Sequence, residues 1–109
     1  MPLDPDRIYH EVLKCGEEWA DAKSAYEALD DNSKSVLADI TSNFMDGKMS
    51  KTEAEMRALA SGDYKNHLAE KQKARKAWLH AQVRFDSIKM LADLRRSEES
   101  TRRAEINLR

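Results

Sequence analysis

IYHEVLKCGEEWADAKSAYEALDDNSKSVLADI, residues 8–40, decides how the chain folds. Within it Ile8, Val12, Cys15, Trp19, Ala22, Tyr26, Leu29, Val36 and Ile40 follow one another at steps of four and three, with Ser33 the one polar interruption. A mean spacing near 3.5 keeps such residues on one side of a helix that faces a second helix, and a strand, whose period is two, cannot sustain it. Upstream, Asp4 can cap, Pro5 suits the first helical position and Asp6 suits the positive end of the helix dipole. The spacing therefore predicts one helix over 5–45. Gly16 and the Asp30-Asp31-Asn32-Ser33 run weaken it locally and leave a kink near 30–33 open, but the apolar phase is the same on both sides, which favours continuity.

Downstream, Asp46-Gly47 supplies a helix stop and Ser50-Lys51-Thr52-Glu53 a capping box. A short helix over 50–60 follows, closed near Ser61-Gly62-Asp63, and the remaining chain predicts a helix over 63–105. On that helix Ala74, Ala77, Trp78, Ala81, Phe85, Ile88, Leu91 and Ala92 form one apolar face. Leu79, Val83, Met90 and Leu94 form a second, roughly opposite. The fold implied is all-α, a single domain over 1–109. It is a long antiparallel helical hairpin resembling a coiled coil, with arms of roughly 60 Å at about 1.5 Å per residue and a short helix at the tip. Two helices can cover only one of those faces. The second asks for another copy, so a homo-oligomeric helical bundle is expected, with Leu79, Val83, Met90 and Leu94 in its interface.

Composition agrees. Of 109 residues, 36% are charged and 6% aromatic, with only 3 Gly and 2 Pro, the balance of long helices sharing a narrow seam. The net charge of −1 conceals an asymmetry: residues 1–31 carry 3 basic and 9 acidic side chains, residues 65–109 carry 12 and 6. Arms so charged attract when they lie side by side. A lone cysteine, Cys15, permits no internal disulfide and favours a reducing compartment. An acidic N-terminus is unlike a secretory signal, and no run of about 18 apolar residues exists for a membrane span. A cytoplasmic protein without membrane contact is expected.

Residues 65–84 hold Lys65, Lys71, Lys73, Arg75, Lys76 and Arg84 against one acid, Glu70. Such a run neutralises phosphates, and Trp78 or His80 beside it could stack on a base; a solvated helix face and a core tryptophan are the simpler readings. A secondary basic cluster, Arg95, Arg102 and Arg103, is diluted by Glu98 and Glu99, whose i,i+4 spacing to the last two suits helix-surface ion pairs. His10, His67, His80 and Cys15 lack metal-ligand spacing. No catalytic, metal or cofactor constellation stands out, and an enzyme is not expected.

The stretches EEWADAKSAYEAL (17–29), SKTEAEMRALASGDY (50–64) and RFDSIKMLADLRRSEESTRRAE (84–105) resemble small all-helical accessory proteins encoded by bacteriophages and prophages. The resemblance implies a phage accessory role inside a bacterial host cell and assigns no residue. Three functions compete: a homo-oligomer that binds nucleic acid without base specificity, an adaptor or inhibitor directed at a host or phage enzyme, and an oligomeric sponge for an anionic nucleotide. Steep salt dependence marks the first, and capture of a protein partner at moderate salt the second. The third needs an enclosed pocket built from two subunits.

Overall fold

A computed structural model of the chain describes residues 5–45, 47 and 49–108. The described residues are all-α, 93% helical, with no strand among them. Its elements are α1 (Pro5–Asp31), α2 (Ser33–Phe44), α3 (Lys51–Ala60) and α4 (Gly62–Asn107). They contribute to two compact units, one formed by Met1–Asp21 with Leu79–Arg109, the other by Ala22–Trp78.

The helix expected over 5–45 is interrupted at Asn32, where α1 and α2 join into a bent helix. Backbone bonds still run from Asn32 N to Ala28 O and from Val36 N to Asn32 O. Beside the joint the Ser33 hydroxyl donates to the Leu29 carbonyl at 3.1 Å. A serine bonded back to the i−4 carbonyl competes with the backbone ladder and bends helices. The expected cap at Asp4, and Asp46 of the expected Asp46-Gly47 stop, fall outside the described residues.

In the unit of Ala22–Trp78, α2 packs on α3. Ile40 and Thr41 are buried on α2, and Ala54 and Ala58 retain no accessible surface on α3. Alanine's small side chain lets the two helices approach closely. Thr41 satisfies its buried hydroxyl by donating to Leu37 O at 2.7 Å. Between α2 and α3 the chain turns through Gly47, whose φ of 92° lies in the left-handed region that costs glycine little. Ser50 then caps α3, its side chain accepting from Glu53 N at 3.2 Å, which is half of the expected box. Ser61 serves two helices. Its hydroxyl donates to Ala58 O at 2.6 Å, closing α3, and accepts from Tyr64 N at 3.2 Å, opening α4.

Within the same unit Tyr26 stacks on Trp78 with ring centroids 5.5 Å apart. Asp30 pairs with Lys71, and Ser33 lies 3.0 Å from His67 Nε2. Numbers rise on one helix as they fall on the other, so the pairing is antiparallel. In the other unit Trp19 meets Phe85 at 6.0 Å between centroids and Arg84 approaches Glu18 at 3.9 Å. There Gly16 leaves room for the Phe85 ring; a Cβ at this position would stand 3.2 Å from its tip.

Every α1–α2 seam position from Ile8 to Ile40 is buried or half-buried, as its phase requires. On α4 the matching set is Tyr64, His67, Lys71, Ala74, Trp78, Ala81, Phe85, Ile88, Ala92 and Arg95. Ala77, placed on this face by its apolar character, is instead exposed. Among the described residues the fully buried apolar side chains are Ile8, Ile40, Ala54, Ala58 and Ala81, whereas Trp19, Tyr26, Phe85 and Ile88 are half-buried. A seam of two helices covers the base of a large side chain and leaves its rim wet.

Candidate functional site

The basic run of α4 divides into paired and unpaired charges. Lys71 belongs to the seam, and its Nζ lies 2.6 Å from Asp30 Oδ1. The hydrogen bond that Lys71 donates to the Asp30 carboxylate raises the Lys71 pKa above its ordinary 10.5, opposed by desolvation and aided by the carboxylate's field. Arg84, in the other unit, lies 3.9 Å from Glu18. Each of these two residues thus has a carboxylate beside it within the chain, Lys71 at closer range than the exposed Arg84.

Lys65, Lys73, Arg75 and Lys76 remain, all exposed and all in the Ala22–Trp78 unit. Among the described residues no carboxylate comes within 4.0 Å of any of them. At about 100° per residue Lys65, Lys73 and Lys76 fall on the side of α4 facing away from the seam, with Arg75 on its flank. Lys65 to Lys76 spans about 16 Å of helix, a length over which duplex DNA carries roughly nine phosphates. Trp78 contributes no exposed stacking face, because it is half-buried against Tyr26; His80 is exposed.

His67 is also a seam residue. Ser33 gives its one hydroxyl proton to Leu29 O, so its oxygen accepts from His67 Nε2–H, and the Tyr64 ring lies 6.2 Å away. Ser33 and His67, both polar seam positions, therefore answer each other across the helices.

In the second cluster Arg95 is half-buried at the end of the seam, while Arg102 and Arg103 are exposed. The expected Glu98–Arg102 and Glu99–Arg103 pairs do not close to 4.0 Å. Exposed pairs gain little by closing and lose side-chain freedom when they do. A shallow groove runs along this stretch of α4, lined by Leu94, Ser97, Glu98, Thr101, Arg102 and Glu105.

The second apolar face lies open: Leu79 is 47% exposed, Val83 65%, Met90 66% and Leu94 60%. All four belong to the Leu79–Arg109 segment. Among the described residues no three of His, Cys, Asp and Glu gather as a metal site would require, and no helix is long and apolar enough to cross a membrane. Compared with known proteins, the chain matches no protein family, no curated protein and no solved structure.

The Asp30–Lys71 pair has a measurable consequence. With the folded-state pKa of Lys71 above 10.5, the pair's stabilisation is present in full below pH 10.5 and is lost as the pH rises through the folded value. Asp30→Asn should therefore melt lower than the parent at neutral pH, with the gap narrowing in strongly alkaline buffer. Thermal melts at both pH values check this, and a gap that is constant with pH would contradict the pairing.

Proposed function

We propose that the chain is a non-enzymatic helical interaction protein that self-associates through the outer face of α4 and binds polyanions, nucleic acid foremost, without base specificity. The observation that carries the binding reading is the unpaired set Lys65, Lys73, Arg75 and Lys76, left after Lys71 and Arg84 have found carboxylates. Contacts from lysine and arginine to phosphates carry no sequence information. Self-association is supported by the four large apolar side chains exposed on the outer face. A phage-encoded accessory role in the cytoplasm of a bacterial host is part of the same proposal.

The test is binding to single- and double-stranded DNA and RNA across a salt series. Changing Lys65, Lys73, Arg75 and Lys76 together to Ser should weaken binding to every sequence alike. It should also flatten the slope of log affinity against log salt by about 3, since each lost phosphate contact on duplex DNA removes about 0.9. Lys71→Ser should leave the slope nearly unchanged. Absence of binding at about 50 mM salt, where phosphate contacts are strongest, would exclude the nucleic-acid reading. The exposed apolar stripe would then favour an adaptor or inhibitor directed at another protein.

A further inference from the structure

The unpaired cations of α4 do not lie on one line. At about 100° per residue Lys65 and Lys76 point almost directly away from the seam, while Lys73 and Arg75 stand on opposite flanks, about 160° apart around the axis. Glu70, the one acid between Lys65 and Lys76, turns toward the seam's margin instead. Between the two flanks the outward side carries Leu68, Ala69 and Gln72, all exposed and all uncharged.

This distribution tells ligand shapes apart. A flat anionic surface meets the outward lysines and misses at least one flank. A groove with two anionic walls meets both flanks at once. An α-helix with its side chains is about 10–12 Å across, and the major groove of B-form DNA is about 12 Å wide, with a phosphate strand on either side. The major groove of duplex RNA is too deep and narrow to admit a helix. Single strands bind by stacking successive bases on aromatic rings as well as by charge. In the Ala22–Trp78 unit Tyr26, Phe44, Tyr64 and Trp78 are all half-buried, so no series of exposed rings accompanies the cations.

We propose that residues 65–76 of α4 enter the major groove of duplex DNA, with Lys73 and Arg75 on phosphates of opposite strands and Ala69 and Gln72 toward the groove floor. Lys65 and Lys76, about 16 Å apart along the axis, hold the two ends of the inserted segment. The proposal rests on the nucleic-acid reading above and adds to it the form of nucleic acid and the groove.

Titrations at about 50 mM salt compare one sequence as duplex DNA, duplex RNA and single-stranded DNA. A fourth ligand is the same duplex DNA with a glucosyl group on each cytosine, attached through a C5 hydroxymethyl. That group fills the major groove and leaves every phosphate in place. Plain duplex DNA should bind about ten-fold or more tighter than each of the other three. Lys73→Ser and Arg75→Ser should each flatten the salt slope on plain duplex DNA by about 0.9, since each removes a phosphate contact on its own flank. Equal affinity for the glucosylated duplex, for duplex RNA or for the single strand, or a slope that responds to only one of the two substitutions, would overturn the groove and leave the polyanion reading standing. No binding to any of the four ligands would overturn both.

Discussion

Phe85→Ala should lower stability by about 3 kcal/mol, the low end of the range for aromatic truncation in a core, because the ring is half-buried. The ring is where three interactions of its unit meet. Its tip occupies the space left by Gly16, its centroid lies 6.0 Å from that of Trp19, and the Lys89 ammonium lies 4.3 Å above its centre. No neighbour can collapse into the gap easily, since the residue facing it on α1 is a glycine without a side chain to move. For a chain of this length the loss corresponds to a fall in Tm of roughly 12 °C. Trp19→Ala should cost a comparable amount. The double variant should cost less than both losses together, because the two substitutions remove one shared ring contact. Melts followed by circular dichroism decide this, and a Phe85→Ala protein melting with the parent would show that the Gly16–Phe85–Trp19 packing contributes nothing in solution.

The helices were legible because their signals are local. A 4-3 spacing from Ile8 to Ile40, a capping box at Ser50 and the absence of Gly and Pro after Gly62 each act within a few residues. The bend at Asn32 was legible only as a local weakness, the Asp30-Asp31-Asn32-Ser33 run, since the apolar phase is continuous there. The candidate site was legible in part. Lys65, Lys73, Arg75 and Lys76 project outward as a basic run suggests, but Lys71 does not, because charge marks a side chain as solvent-seeking whatever its partner. Stepping back from Trp78 at the seam's own spacing reaches Ala74, then Lys71, His67 and Tyr64, so the phase held the answer. The opposing arm held another part, since Ser33, the lone polar residue of its seam, stands opposite His67, a polar seam residue of α4. Spacing on one helix names the positions that face inward, but only the facing helix says which charges are answered there.

Acid and base also sort by position. Asp30 and Glu18, from the acidic first arm, meet Lys71 and Arg84 from the basic last arm, each pair within its own unit. The attraction implied by the charge asymmetry is thus realised at the seam's margins. What it leaves over, the unpaired cations of α4, is the net positive surface on which the polyanion proposal stands.

Val83→Glu with Met90→Glu should raise the dissociation constant of the self-associated form by at least about 10³-fold. These are the most exposed residues of the stripe, 65% and 66%. The substitutions place four carboxylates in one interface, two from each copy, where apolar side chains had been buried. The effective penalty for desolvating an unpaired charge is several kcal/mol per ion, and about 4 kcal/mol already corresponds to roughly a thousand-fold. In the free subunit the same two positions face water, and glutamate is a good helix former, so the helical content should persist. Light scattering and circular dichroism on one sample separate these effects. A smaller particle with an unchanged helical spectrum is the expected outcome. Loss of both would mean that the face stabilises the subunit's own fold, and a particle of unchanged size would move the self-association surface away from α4's outer face.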